Sequence, residues 1–470
     1  MLPGIGPVTA IALLIPLSFG LDPVSGLIFL SGIYYGSMYG GSTTSILIRA
    51  PGEVASVVTT LDGYEMAKQG RAGPALSTAA IGSFVAGTFS TLGLMLLAPA
   101  LASVAIAFGS AEYFLLMLLA LVMVSNLTTG SQLKALIATL FGLSIAMVGI
   151  DPHTSVQRFT FGVPLLSDGI DFALIALLAL PEAFTNMAAR TTSHMEAQRI
   201  QGSMWMTRED WRRSAGPYWR GSILGFLIGV LPGIGPSLAS FLSYGLERRL
   251  SKHPEQFGKG AIEGVAGPET ANNAGVGGAM VPLFTLGIPS SATTALLLFV
   301  FMMYGLQPGP QHMDTNPELI WAIIASTYIG NVMLLVLNLP LVGLFAQMLK
   351  TPPAMLYSGV IAFSVLGPYA LNFNTFDMLM LLGFGLVGYL MQRYGFPMAP
   401  AVLALVLGVL AEQHLRRALS VSNGDVMTFV ERPISLALVI FILLVLVLPP
   451  VLRLVRANRP RVDVRAGGQQ

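Results

Sequence analysis

Val230 to Ala239 reads "VLPGIGPSLA", and Met1 to Ala10 reads "MLPGIGPVTA". Proline removes a backbone donor and glycine loosens the chain, so neither belongs inside an ordinary helix. A break written twice points to internal repetition. Leu2 to Pro7, which holds Pro3, Gly4 and Gly6, matches Leu231 to Pro236, which holds Pro232, Gly233 and Gly235. Farther along, Pro51, Gly52 and Glu53 sit like Pro289, Ser290 and Ser291; Ser83 and Gly87 match Ser326 and Gly330; Glu112 and Gly130 sit like Asp377 and Gly395. The offset grows from 229 through 238 and 243 to 265, so the second half carries insertions, one of them "ERRLSKHPEQFGKG" at Glu247 to Gly260. The order predicts two homologous, inverted repeats: residues 1–190 and residues 220–470, joined by a basic cytoplasmic loop at 191–219.

The 470 residues are 54% hydrophobic and only 10% charged, with a mean hydropathy of +0.72. Soluble domains carry roughly 25% charged residues, so an all-α polytopic membrane protein is predicted. Leu76 to Ala98, Tyr113 to Leu127, Leu133 to Ile150, Ile323 to Leu349, Met378 to Met391 and Ile434 to Val455 are apolar runs of the length needed to cross, or largely cross, a bilayer. Net charge is +2, which gives no reason to expect a nucleic-acid partner. Arg190, Arg199, Arg208, Arg212, Arg213 and Arg220 cluster in one connection with Trp205, Trp211 and Trp219, and a second basic run closes the chain from Arg453 to Arg465. Both are placed in the cytoplasm, with the tryptophans as interfacial anchors. Between Arg220 and Glu247, a hairpin turning at Pro232 to Pro236 keeps both basic ends on that side; a simple crossing does not.

After its Gly-Pro break each half enters a polar, Gly-rich stretch: "YYGSMYGGSTTSILIRAPGEVASVVTTLDGYEMAKQG" at Tyr34 to Gly70, and "GVAGPETANNAGVGGAMVPLFTLGIPSSATTALLLF" at Gly264 to Phe299. These are read as broken or re-entrant helices. Irregular backbone at membrane depth is tolerated where it is buried or lines a watery cavity, and paired breaks in two halves point to a transporter binding site. Helix N-termini there favour a carboxylate and C-terminal carbonyls favour a cation. The candidate substrate residues are Gly41, Ser42, Thr43, Thr44, Ser45, Arg49, Asn272, Asn273, Ser290, Ser291 and Thr293, framed by Pro51, Gly52 and Pro289. Asn273 is the preferred single residue, and a Na+ is expected near Ser45, Asn273 and Thr285. The competing reading of any one Ser or Gly is close helix packing.

Arg49, Glu53, Asp62, Glu263 and Glu269 are ionisable residues in apolar surroundings, where a functional reading is the default. Arg49 offers a bidentate carboxylate contact, against snorkelling or pairing with Glu53. Asp62, Glu65, Lys68 and Arg71 read as an aqueous turn, and Glu112 and Asp377 as structural caps at helix starts. There is no cysteine, the five histidines are scattered, and no HExxH or phosphate-binding loop occurs, so no enzyme and no ATP hydrolysis is expected. Energy for transport then comes from an ion gradient or another subunit.

Long ordered segments resemble the large membrane subunit of the tripartite tricarboxylate transporters, the TctA family: "LPGIGP" twice, "YYGSMYGGSTTSILIRAPGE", "LDGYEMAKQGRAGPAL", "VGIDPHTSVQRFTFG", "SYGLERRLSKHPEQFGKGAIEGVAGPETANNA", "PLFTLGIPSSATTALLL" and "GYLMQRYGFPMAPAVLALVLG". The resemblance implies a multi-pass secondary transporter of the bacterial inner membrane. It would receive carboxylates from a periplasmic TctC-type binding protein, work with a small TctB-type membrane subunit, and use a Na+ or H+ gradient with no cofactor. A carrier without a binding protein and an ion channel are the alternatives. The family usually has a small neutral residue at Arg49 and glycine at Ser290, which suggests a substrate other than citrate, a dicarboxylate or aromatic carboxylate with Arg49 as second anchor. The second half has an apolar lead, Gly221 to Gly229, into its break. The family has one in the first half too, so this chain is expected to lack a leading helix of about 20 residues, through a start assigned too late or a truncation.

Overall fold

The computed structural model describes residues 6–127, 130–151, 154–167, 169–170, 172–188, 200, 203–231, 235–310, 315–345, 347 and 353–457. Among these the principal helices are α1 (Pro7–Ser18), α2 (Pro23–Ile48), α3 (Val57–Lys68), α4 (Ala72–Ala105), α5 (Ser110–Leu127), α6 (Gln132–Ala146), α7 (Phe172–Ala188), α8 (Arg208–Val230), α9 (Gly235–Leu250), α10 (Glu263–Leu286), α11 (Ala292–Met303), α12 (Pro317–Asn338), α13 (Pro353–Asn372), α14 (Thr375–Arg393), α15 (Met398–Val421) and α16 (Pro433–Ala457). A two-stranded hairpin, β1 (Gly149–Ile150) with β2 (Gln157–Arg158), is the one sheet among the described residues.

Among the described residues four helices are long and apolar enough to cross a membrane: α4, α12, α14 and α15. α4, α12 and α14 contain predicted runs, although the run expected to reach Leu349 stops as a helix at Asn338. α15 was not among the predicted runs, because Glu412, His414, Arg416 and Arg417 interrupt its apolar pattern.

α10 organises the molecule. Every residue from Glu263 to Thr285 is buried, and the helix packs on α8, α9 and α4, with further contacts to α2, α3 and α11. Hydrocarbon is as apolar as leucine, so small residues that let backbones approach replace the hydrophobic drive between membrane helices. Gly221, Gly225 and Gly229 lie four residues apart on one face of α8. They meet the α10 backbone at Gly267, Ala271 and Gly275, so closely that a Cβ on any of the three would collide with main-chain atoms. α8 and α9 form a hairpin whose open end is closed by Arg220 and Glu247, with Nη2 to Oε2 at 2.5 Å and Nε to Oε1 at 2.9 Å. α8 begins at Arg208, inside the segment read as a loop, because Thr207 and Asp210 form a capping box. Trp205, Trp211 and Trp219 are all exposed.

A flanking bundle is made of α5, α6, α7, α13, α14, α15 and α16, with α1 and α11 joining it to the central helices. The β-hairpin is pinned to α15 by ion pairs: Arg158 binds Glu412 at 2.6 and 3.1 Å, and Arg416 binds Asp151 at 2.9 Å. Glu112 has the structural role expected of it. It accepts from the Gly109 amide at 2.8 Å, from Ser435 at 2.6 Å and from Arg432 at 3.0 Å, holding the start of α5 to the start of α16.

Candidate functional site

The two polar stretches are helical for most of their length, and each is interrupted by a break between two helices. α2 runs without interruption through Gly40 to Ser45, and α10 runs from Glu263 to Leu286 across Pro268 and the Asn-Asn pair. The hydroxyls are the reason. Ser42 donates to Tyr39 O, Thr44 and Ser45 to Gly41 O, and Thr285 to Val281 O, so the side chains return to carbonyls of their own helix. The breaks lie at the ends. α2 stops at Arg49 (φ 56°) and α10 at Gly287 (φ 66°), both left-handed C-caps, and each is followed two residues later by proline.

After each cap the chain turns back. In the first break Gly52 lies against Gly41: a Cβ built on Gly52 would stand 2.7 Å from Gly41 Cα, and one on Gly41 would stand 3.1 Å from Glu53 Cγ. Ser45 Oγ also bonds Ser56 O at 3.0 Å. α3 therefore starts beside the last turns of α2, with Gly63 against Ile46. In the second break Ser291 caps α11, accepting from the Thr294 amide while Thr294 Oγ1 accepts from the Ser291 amide. α11 then runs alongside the end of α10, with Phe301 against Phe284 at 6.0 Å between ring centres. Its last turn meets the opposite end of α2, where Tyr304 lies on Gly26 and donates to Ser18 O at 2.6 Å. α11 thus runs antiparallel to α2, from Ser291 near Tyr34 to Tyr304 near Gly26. The start of α1 and the start of α9 border these breaks: Gly6 lies against Gly52 and Glu53, and Gly235 against Ser290 and Ser291.

The breaks converge on a polar cluster. Tyr34 of α2 lies by Ser291 and Glu53. Asn272 Nδ2 donates to Glu53 Oε1 at 2.8 Å, Thr59 of α3 donates to Glu269 Oε1, and Ser240 of α9 bridges Ala55 O at 2.8 Å and Pro268 O at 3.2 Å. Asn273, one residue on, turns to α4 and donates to Ser83 Oγ at 2.7 Å and Glu269 O at 3.0 Å. Several buried atoms here have no protein partner: Glu269 Oε2, Asn272 Oδ1, Asn273 Oδ1, Ser290 Oγ and Tyr34 Oη. Glu53 and Ser291 remain partly accessible, so the cluster has an open side.

Of the residues predicted from sequence, the structure brings together Gly41, Gly52, Asn272, Ser290 and Ser291. Asn273 borders the cluster from the α4 side. Thr293 is buried in the first turn of α11, with Pro289 leading into it. Ser42, Thr43, Thr44 and Ser45 are buried in α2, and three of the four hydroxyls are spent on backbone. Arg49 does not join the site: it is exposed, 5.7 Å from the centre of the Tyr64 ring. The Na+ position expected near Ser45, Asn273 and Thr285 is not supported, since Asn273 and Thr285 stand twelve residues apart on α10, about 18 Å along the axis. Asp62 is no aqueous turn residue. It is fully buried, and Oδ1 accepts from the amides of Gly258, Gly260 and Ala261 at 2.8 to 2.9 Å while Tyr244 donates to Oδ2 at 2.9 Å. Pro3, Gly4, Pro232 and Gly233 lie outside the described residues, and Pro51 sits in the first fold-back.

Tyr34, Thr59 and Ser83 were missed as site residues. Tyr34 lies seven residues before Gly41, two turns up one face of α2, which is the pattern that would have found it. Chemically the cluster has two sides. The N-terminus of α11 presents amides and a positive dipole end to an anion, while Glu53, Glu269 and Asn272 present oxygens. Among the described residues no group of three His, Asp or Glu side chains has metal-binding geometry. A separate cavity of about 290 Å³ at the other end of α11 is lined by Phe299, Met302, Arg158 and Glu412, and its two charged residues are already paired.

Residues 1–403 match the family described as the tripartite tricarboxylate transporter TctA family. An uncharacterised 52.8 kDa protein of the TAR-I ttuC′ 3′ region of Agrobacterium vitis is 49% identical over 466 residues, 99% of this chain and 92% of that protein. An uncharacterised protein of the TAR-II ttuC′ 3′ region of the same organism is 47% identical over 240 residues, 51% of this chain and 99% of that protein. No solved structure matches.

Proposed function

This chain belongs to the tripartite tricarboxylate transporter TctA family, and on that premise we propose that it is the large permease subunit of a binding-protein-dependent carboxylate importer. It sits in the bacterial inner membrane with a small TctB-type subunit, takes its substrate from a periplasmic TctC-type protein, and is driven by Na+ or H+. The observation that carries the reading is the meeting of two fold-backs at Tyr34, Asn272 and the capped N-terminus of α11. A half-helix that begins inside the molecule aims its first-turn amides and positive dipole end at whatever enters, which suits a carboxylate group and no cation.

Ser290 adds an unpartnered hydroxyl beside that terminus and Tyr34 brings its own hydroxyl next to Ser291, donors for one carboxylate without a buried arginine. The antiparallel run of α11 along α2 supports inverted repeats, the arrangement that lets one unit rock against the other around a fixed central site. Arg49 lies outside this cluster, so the choice among tricarboxylates, dicarboxylates and aromatic carboxylates is assigned to the residues around Ser290.

The test is uptake of labelled citrate, C4 dicarboxylates and aromatic carboxylates into proteoliposomes holding the chain and its small partner, with and without the binding protein, under imposed Na+ or H+ gradients. Accumulation that needs both binding protein and gradient is expected. Accumulation without the binding protein identifies an independent carrier, and downhill flux alone identifies a channel.

A further inference from the structure

We propose that Glu53 and Glu269, together with the amide oxygen of Asn272, form the binding site for the coupling cation. The proposal rests on the transporter reading only for the word coupling; the cation site itself stands on the geometry. Glu53 belongs to the fold-back after α2 and Glu269 to α10, so the two carboxylates come from the two halves of the chain. Each has one oxygen already bonded, Glu53 Oε1 by Asn272 Nδ2 at 2.8 Å and Glu269 Oε1 by the Thr59 hydroxyl. The Asn272 amide, by giving its nitrogen to Glu53, commits its oxygen to acceptance. That oxygen and Glu269 Oε2 have no protein partner, and the two residues are 0% and 1% exposed.

Atoms that can only accept are satisfied by a donor or by a cation. Protein charges do not supply one. No lysine or arginine among the described residues forms an ion pair with Glu53 or Glu269, and the titratable groups that face them are each other and Tyr34. The other buried acids of these helices are treated differently. Glu263 pairs with Arg213, Glu247 with Arg220, Asp210 with Arg71, and Asp62 takes three amides and a tyrosine hydroxyl. Glu269 is buried and Glu53 half-buried, and two neighbouring carboxylates held there without a counter-ion are costly, so the pair holds a monovalent cation, Na+ or H+. Carboxylate and amide oxygens are hard ligands of the type such ions take.

The location sets an order of events. An anionic substrate at the N-terminus of α11 approaches within the same cluster as the two carboxylates. Repulsion opposes it until a cation has bound, and the bound cation also ties the α2–α3 unit to α10. Cation first, carboxylate second, is the sequence this electrostatics imposes.

The test needs neither substrate nor partner. The full chain in lipid nanodiscs is unfolded thermally while NaCl replaces choline chloride at constant ionic strength, at pH 6 and pH 8, with Na-22 binding measured in parallel. A Na+-dependent rise in the midpoint that is lost in Glu53→Gln and Glu269→Gln assigns the site to Na+. A rise from pH 8 to pH 6 that ignores Na+ and is flattened in the same variants assigns it to the proton. Equal responses in wild type and both variants, or no response in wild type, overturn the site. Should the Gln variants fail to fold, Glu53→Asp and Glu269→Asp keep the charge while withdrawing the oxygens, and Na+ affinity is expected to fall about tenfold, roughly 1.4 kcal/mol; unchanged affinity in both again overturns the proposal. Cation binding without carboxylate uptake removes the substrate assignment and leaves the site. Gradient-driven uptake that survives both substitutions does the reverse.

Discussion

Gly225→Ala tests whether the α8–α10 seam is what holds the central bundle. A Cβ at Gly225 would stand 2.7 Å from Ala271 Cα and 2.8 Å from its carbonyl carbon, with the oxygen nearer still. Carbon atoms reach optimal contact at about 3.5–4.0 Å, so the helices must part by roughly 0.7–1 Å, and a gap of that size forfeits about a quarter to a half of each dispersion contact across the seam. Overpacking costs about 1–3 kcal/mol. The upper end applies here, because the obstacle is main chain and because Gly221 and Gly229 are seated in the same way on either side. Alanine returns about 1 kcal/mol through helix propensity, leaving a net loss of about 2 kcal/mol. Gly245 of α9 is the control: a Cβ there meets nothing within 4 Å, so Gly245→Ala should gain about 1 kcal/mol. The same chemical change at two positions on neighbouring helices thus differs by about 3 kcal/mol. The assay is thermal unfolding followed by tryptophan fluorescence in one detergent, and the expected order is Gly225→Ala below wild type below Gly245→Ala. A Gly225→Ala midpoint at or above that of Gly245→Ala refutes the close-packed seam.

Asp62→Ala leaves the amides of Gly258, Gly260 and Ala261 without their acceptor; at about 1–3 kcal/mol for each group left unsatisfied, the loop before α10 should open, seen as faster proteolysis between Ser251 and Ala261, with Asp62→Asn milder. Arg49→Gly should raise the unfolding midpoint by the equivalent of about 1 kcal/mol, since glycine adopts the left-handed cap without strain, and uptake competition should leave the substrate ranking unchanged. At Asp210 burial pushes the carboxyl up, but bonds from Arg71 and Thr207 outweigh it and hold the group below its ordinary 3.8. A depressed value stabilises the fold above 3.8 and loses that contribution as pH falls through the folded value. Acid unfolding curves taken below pH 5 should therefore lose this step in Asp210→Asn, and a curve superimposable on wild type counts against the pairing.

What could be seen in the sequence was the punctuation. Pro51 and Pro289 lie where the chain turns back, and Gly6 and Gly235 lie against those breaks, because proline and glycine act locally and their effect survives any tertiary context. The hydroxyls of Ser42 to Ser45 misled for the opposite reason. A polar residue in an apolar run looks functional until its bond is known, and an intrahelical carbonyl four residues back is silent in composition. Arg49 was legible as costly but not in direction, since a left-handed cap swings the side chain off the helix face it would otherwise share. Asp62, Asn272 and Glu269 depend on partners 196, 219 and 210 residues away in the chain, and no local pattern encodes such pairings.

The complete burial of α10 bears on how the protein is made. Charged residues at the centre of a lone membrane helix disfavour insertion by about 2.5–3.5 kcal/mol each, and α10 carries Glu269 and two asparagines in its middle, with prolines at 268 and 282. As it leaves the ribosome this segment has little reason to stay in lipid by itself. It becomes acceptable once α4 is in place and the α8–α9 hairpin has closed, when Ser83, Ser240 and the glycine stripe offer it a seat made of protein. The helix that carries most of the site is therefore a late arrival, and errors in α4 or α8 should surface as degradation during synthesis before they surface as loss of transport.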